Sequence, residues 1–451
     1  MLPVQTEISA QRGKDRVNLI TDFYETLRAV AQTMDAGTSP SFALPELTPA
    51  VREFYAPAEA SWQPFGTYRD QPLTLLNLAG DPGTHTTKTF PSLLIVARAV
   101  EHIRRHGEPV VLFTPTSANK GVALRHAVQR ALACGLATPD QLRIVVVAPK
   151  SSAGKLRADR LSADPELAAR NPVLLHSSPA ADDVKLLARR FADEYAASFE
   201  KRTGARLWFT LDLANYLLAD VSRALFENAV APVDTADRPR THAHAVSSAF
   251  GMLGYHRGRD LLESAGLSAA GRRPHTLLVQ HLNTPHMVLD VLFRDFDRSA
   301  VPRFRRQDPD GLFHQDIDPH FPAVTAYPEE VLDSTFYTRR PATARRMSEL
   351  IAEHGGDGIV VSKQECLQRY EQIAGHLETA GLPTPADPAD VREWSLAMAL
   401  CGVLNAIDRD LVKDDHEIVV HGSGWYTAAD YTPLTDFHEA ATPADVARIL
   451  R

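Results

Sequence analysis

From Leu73 onward the chain alternates between short, almost wholly apolar runs and longer stretches in which apolar positions recur every three or four residues. The runs at 109–113, 143–148, 173–175, 276–280, 358–361 and 417–420 predict strands buried on both faces, as in parallel sheets. The stretches at 91–105, 120–134, 181–201, 216–228, 251–265, 342–354, 363–380 and 391–407 predict amphipathic helices. Strand followed by helix, repeated along the chain, predicts an α/β fold with parallel sheets. Ahead of this pattern, a helical period at 17–34 runs into a loop rich in Pro, Ser and aromatics that reaches Trp62 and Phe65. Residues 1–72 are therefore expected to form an extension on the main body. Between about 293 and 336 the periodicity fades into Asp, Arg, Pro and Phe, which predicts a long loop or insertion.

Length and composition narrow the function classes. At 451 residues the chain exceeds one hydrophobic core, so two domains are expected. A net charge of −8 and no basic stripe argue against a nucleic-acid surface. The three cysteines, Cys134, Cys366 and Cys401, are too far apart for a disulfide framework or a cysteine metal site, and they fit a reducing cytoplasm. The first residues mix charges into every turn, so no signal peptide is read there. No run of about 18 apolar residues predicts a membrane span.

Four segments carry candidate chemistry. Gly83-Thr-His-Thr-Thr-Lys88-Thr-Phe-Pro-Ser92 is a polar loop entering a helix, and a lysine there, if desolvated, loses its proton and attacks an aldehyde. A solvated loop lysine is the plain alternative. Pro115-Thr-Ser-Ala-Asn-Lys-Gly121 joins a strand to a helix, and such a turn is either an anion site or simply a helix cap by Ser117 or Asn119. Val246-Ser-Ser-Ala-Phe-Gly251 has the same placement and suits a phosphate or an ordinary cap. Val419-Val-His-Gly-Ser-Gly424 ends the last strand, where ligand crevices lie in open α/β sheets.

The order of these segments resembles that of fold-type II pyridoxal-phosphate enzymes, threonine synthases above all. In that family a lysine in a Ser-Phe-Lys-Asp-Arg stretch carries the cofactor, and a Ser-Gly-Asn-Thr loop some thirty residues later grips the substrate carboxylate. Asn119 follows Lys88 by 31 positions. The likeness continues through Ile144-Val-Val-Val-Ala-Pro-Lys-Ser-Ser-Ala-Gly-Lys155, Leu278-Val-Gln-His-Leu-Asn-Thr-Pro285 and His354-Gly-Gly-Asp-Gly-Ile-Val-Val-Ser362. It implies two parallel-sheet domains with pyridoxal 5'-phosphate in their cleft: a large cofactor-binding domain at 73–105 and 241–451, and a smaller one at 106–240 that presents the carboxylate loop. Lys88 would be the catalytic lysine. Asn119, Ser247, Ser248, Ala249, Phe250, Gly251, His421 and Ser423 would hold the cofactor. Thr116, Ser117, Ala118, Asn119 and Lys120 would hold the substrate, and no metal is implied.

The chain departs from the family at several of these places. Thr89-Phe90 replaces Asp-Arg, the Gly-Asn-Ala-Gly-Asn phosphate turn has become Ser247-Ser-Ala-Phe-Gly251, Ala118 replaces Gly, and His421 stands at the hydroxyl residue that faces the pyridine nitrogen. Lys120 replaces a threonine; either it points to solvent from the first helical turn or it assists an acidic substrate or leaving group. The implied function is β- or γ-elimination or replacement on an amino acid by a lyase or synthase, with a serine or threonine dehydratase and a non-catalytic relative as alternatives. A cytoplasmic protein with a small amino-acid substrate, no nucleic-acid or membrane partner, and a dimer as in relatives, completes the expectation. His242 and His244 lie two apart on a strand without a third metal ligand in their segment, Arg303-Phe-Arg-Arg306 reads as a solvated loop, and Trp394 and Met398 read as core.

Overall fold

The structure is a computed structural model, described for residues 3–34, 42–178, 183–210, 213–307 and 310–450. The chain divides into two compact units: 1–17, 60–80 and 223–428 form the first, and 18–59, 81–222 and 429–451 form the second.

The first unit is organised by a seven-stranded sheet in the order Arg16–Asn18, Glu59–Tyr68, Gln71–Asn77, Glu417–Gly422, Arg240–Ala245, His275–His281, Gly356–Val361. From Gln71–Asn77 to Gly356–Val361 all neighbours are parallel, and Glu59–Tyr68 pairs antiparallel with Gln71–Asn77. Leu75, Ala243, Leu277, Val279, Ile359 and Val361 form one core with the helix Ser395–Asp408, and Trp394 and Met398 belong to it as expected. That helix buries nearly every residue, so its sequence is apolar on all sides rather than striped.

A five-stranded sheet organises the second unit, ordered His438–Glu439, Val173–His176, Leu142–Pro149, Val110–Pro115, Arg206–Phe209, with every pairing parallel. Val111, Phe113, Val145, Val147 and Leu174 face Leu187 and Phe191 of the helix Asp183–Thr203 and Val446 of the C-terminal helix. On this sheet's other helices, Thr89–His106 stops at Gly107, which takes the left-handed conformation (φ 67°), after a basic last turn that suits the negative helix end.

The α/β class with parallel sheets holds, and most elements lie within a few residues of expectation. The exceptions have physical causes. The pattern at 17–34 is a short strand at Arg16–Asn18, a turn, and the helix Tyr24–Met34, because Asn18 accepts the N–H groups of Ile20 and Thr21 and holds the chain in a turn. The stretch 363–380 is two helices, Lys363–Gln368 and Tyr370–Thr379, and 391–407 is a strand Val391–Glu393 before the helix at Ser395. The start expected at 181 lies outside the described residues. Arg206–Phe209 and the helix His286–Phe293 were not expected. The insertion at 293–336 contains a small antiparallel sheet of three two-residue strands, in which Arg305 and Arg306 are exposed. The unit boundaries also differ from the expected ones. Residues 18–59 and 81–106 cluster with the second unit, where the helix Thr89–His106 packs on Asn119–Ala133, and the chain returns at 429 to add the edge strand His438–Glu439.

Candidate active site

In the second unit, Lys88 sits half-buried at the N-cap of the helix Thr89–His106. The loop before it is braced from within. The Asp81 carboxylate accepts the Gly83 N–H (3.1 Å) and the Thr84 hydroxyl (3.0 Å) and pairs with His126 Nδ1 (3.3 Å). Burial alone would raise the pKa of Asp81, but the bond and charge of His126, with the Gly83 and Thr84 bonds, hold it below the usual carboxylate range. The Thr84 and Thr89 hydroxyls share a hydrogen bond of 2.5 Å, and Thr89 also donates to Thr86 O. A Cβ on Gly83 would lie 2.6 Å from the His126 ring, so glycine lets loop and helix close.

The expected carboxylate loop follows the strand Val110–Pro115. Thr116 is buried, and its hydroxyl oxygen accepts the N–H groups of Ala118 (3.1 Å) and Gly121 (3.0 Å), so its role is to fold the turn. Ser117 and Asn119 are half-buried. Ala118 has φ 125° and ψ −63°, a conformation natural to glycine, and is fully buried there. The residue ahead of the helix Asn119–Ala133, Ala118, has no capping side chain, and Thr116 takes the Gly121 N–H of its first turn instead. Lys120 does not point to solvent: it is 9% exposed. Burial first, then the charges of Lys185 and Lys88, lower its pKa to about 7.

In the first unit, the strand Arg240–Ala245 runs into Val246-Ser247-Ser248-Ala249, and Ala249, which has no capping side chain, takes the left-handed conformation (φ 47°) at the head of the helix Phe250–Ser264. Ser247, Ser248 and Phe250 are half-buried, while Ala249 and Gly251 are buried. Ser247 Oγ donates to the Thr338 hydroxyl (3.2 Å), and Thr343 donates to Ser248 O (2.6 Å). The glycine at 251 has a definite cause: its Cβ would lie 2.7–2.9 Å from the guanidinium of Arg223.

Arg223 begins a buried chain of hydrogen bonds that local sequence gave no sign of. Its Nη1 donates to His421 Nδ1 (3.1 Å), His421 Nε2 meets His242 Nδ1 (2.8 Å), and His242 Nε2 meets Glu227 Oε1 (3.0 Å). Glu227 also receives Arg240 (3.0 Å) and the Tyr255 hydroxyl (2.5 Å). A guanidinium only donates and a carboxylate only accepts, so every proton is fixed: His421 and His242 are each neutral with hydrogen on Nε2. Burial lowers His421 well below its ordinary value, helped by the neighbouring His242, Arg223, His244 and His256. Burial would raise Glu227, but the hydrogen bond from His242 and the charges of Arg240 and Arg259 overcome it and bring it down to about 2. His421 was expected to offer an N–H outward; here both its ring nitrogens are engaged. Two residues on, Ser423 is 7% exposed and its hydroxyl makes no hydrogen bond among the described residues. His242 thus serves this chain of bonds, and Arg223 and Glu227 read in sequence as ordinary polar positions four apart on a helix.

A family model described as a family of unknown function, DUF6002, matches residues 14–451. The chain belongs to the DUF6002 family. No curated protein sequence matches it. Among solved structures, the L-serine ammonia-lyase of the fungus Rhizomucor miehei is similar with a TM-score of 0.50 at 11% identity, over 82% of this chain and 94% of that one. A pyridoxal 5'-phosphate-dependent aspartate racemase is similar with a TM-score of 0.51 at 12% identity, over 86% and 97%. This DUF6002 protein therefore has the mixed α/β, parallel-sheet fold of fold-type II pyridoxal-phosphate enzymes.

Two outcomes follow from this geometry. Ala118→Gly relieves strain of roughly 1–3 kcal/mol at the cost of about 0.5–1 kcal/mol of glycine entropy. Urea unfolding should show a net gain of about 1 kcal/mol, and a loss would mean the φ of 125° is not strained. Glu227, depressed from 4.5 to about 2, contributes stability that is complete above 4.5 and lost as pH falls through about 2. Glu227→Gln should cost roughly 3–5 kcal/mol at neutral pH and flatten the stability–pH curve across that window; an unchanged curve between pH 5 and 2 would contradict an ionised Glu227.

Proposed function

We propose that this DUF6002 protein holds pyridoxal 5'-phosphate and catalyses elimination or replacement at the side chain of an amino acid. The observation that carries the reading is Lys88, set at a helix head by a braced polar loop, in a fold that the aspartate racemase uses with this cofactor.

The residues present fit such a group. Its phosphate needs hydrogen-bond donors and a positive helix end, which the uncapped turn Ser247, Ser248, Ala249, Phe250, Gly251 supplies. Its ring nitrogen needs a short donor at a strand end, which the buried Ser423 hydroxyl supplies. His421 then stands behind Ser423 as part of the strand end, held by Arg223 and His242. Its aldehyde needs an amine, and Lys88 is the residue assigned to it.

When bound, the cofactor supplies a ring that accommodates the charge left on an amino acid that has lost its α-proton. Lys88 Nζ is the group that removes and returns that proton. The N–H groups of Asn119 and Lys120 at the helix head, with the side chains of Ser117 and Asn119, hold the substrate carboxylate, while Thr116 and Ala118 shape the turn. A hydroxyl at Ser423 donates without protonating the ring, which favours departure of a side-chain group over transamination. An oxo acid with ammonia as product marks elimination, as in a serine or threonine dehydratase, and a new amino acid marks replacement.

Cofactor titration followed by absorbance tests the reading. Ser247→Ala with Ser248→Ala should weaken binding roughly ten- to a hundredfold, the worth of one or two hydrogen bonds to a charged group. Lys88→Ala should retain the fold by circular dichroism, bind the cofactor without a covalent link and form no product from any amino acid. Unchanged cofactor affinity in the double serine variant, or turnover without Lys88, overturns the assignment.

A further inference from the structure

A buried lysine without a counter-charge is the least explained group in the second unit. Lys120 is the second residue of the helix Asn119–Ala133, nine-tenths buried. Among the described residues its amine has no hydrogen-bond or ion-pair partner. The carboxylates on its own helix's neighbours are already committed. Asp159 pairs with Arg125, Asp81 with His126, Glu53 with Arg130, and Glu101 with Arg104 and Arg105. Arg143 lies on the strand Leu142–Pro149 packed below this helix, and Arg160 on the short helix Arg160–Ala163. The charges that act on Lys120 are those of Lys185, from the helix Asp183–Thr203, and Lys88; both are positive.

Three unfavourable terms therefore meet at one amine. It is desolvated, the charges of Lys185 and Lys88 act on it, and it stands in the first turn of a helix, whose positive end repels a cation. One bound anion reverses all three at once. At this helix start the N-cap residue is the strained Ala118, which has no capping side chain.

We propose that Lys120, supported by Lys185, binds an anionic group of the substrate other than its α-carboxylate, so that the protein acts on amino acids whose side chain or leaving group is acidic. The inference rests on the amino-acid reading above and names the substrate class. A carboxylate, a sulfonate and a phosphate share the chemistry required. Because burial and the two neighbouring lysines bring Lys120 to about 7, an arriving anion draws a proton onto it. The uptake is partial near neutral pH, and affinity falls as pH rises above the value of the free amine.

The test is titration calorimetry on the cofactor-loaded protein with L-aspartate, L-cysteate, O-phospho-L-serine and L-serine, in buffers of different ionisation enthalpy at pH 6, 7 and 8.5. At least one acid should bind with proton uptake near pH 7, and L-serine without it. Lys120→Met, which removes the charge and keeps the volume, should weaken that acid ten- to a hundredfold at pH 6, abolish the uptake and leave L-serine unchanged; Lys185→Met should weaken the acid less. Equal effects on acid and L-serine, uptake that persists in Lys120→Met, or no binding of any acid overturns the proposal. If the cofactor fails to load but an acid still binds through Lys120, the cofactor reading falls and the anion site stands; if it loads and Lys120→Met is silent, only the anion site falls.

Discussion

In a parallel sheet every strand returns to its start through a crossover, so the carboxyl ends of neighbouring strands, and the turns that follow them, collect along one edge. Within the first unit this pairs Glu417–Gly422 with Arg240–Ala245, so His421 and Ser423 stand beside the turn Ser247–Gly251 although some 170 residues separate them. Within the second unit the strand Val110–Pro115 lies between Leu142–Pro149 and Arg206–Phe209, and the turn it feeds holds Thr116 to Lys120. The candidate residues are thus not scattered by chance. The turns Thr116–Lys120 and Ser247–Gly251 and the strand end at Gly422 lie where parallel pairing collects carboxyl ends along one edge of their own sheets.

The two units treat buried charge in opposite ways, and the contrast is informative. Glu227 is fully buried yet accepts bonds from Arg240, Tyr255 and His242, and its charge fixes both histidine tautomers as far as Arg223. Such a network is costly to break. Lys120, nine-tenths buried, has no such complement among the described residues.

Much of the fold was legible because two periodicities, runs for buried strands and a three-to-four spacing for helices, mark different burial. Three of the sites were legible for the same reason: the Thr116–Lys120 loop, Ser247–Gly251 and the His421–Ser423 end sit where a run stops, whereas Lys88 stood out as a lysine in a polar loop entering a helix. What escaped were partners supplied by helices. Arg223, Glu227 and Lys185 look like ordinary charged positions on amphipathic helices, and only the tertiary structure shows the first two buried. Gly251 invited a phosphate reading by itself, whereas the structure gives it a second cause in the Arg223 guanidinium. The edge strand His438–Glu439 was invisible because two residues carry no period.

The central claim is that Lys88 carries the cofactor. Reduction of the cofactor-loaded protein with borohydride, followed by mass analysis of its peptides, measures this directly. The account predicts a single phosphopyridoxyl adduct on the peptide containing Lys88. An adduct on Lys120, Lys150 or Lys155 instead, or none on any lysine, would contradict it.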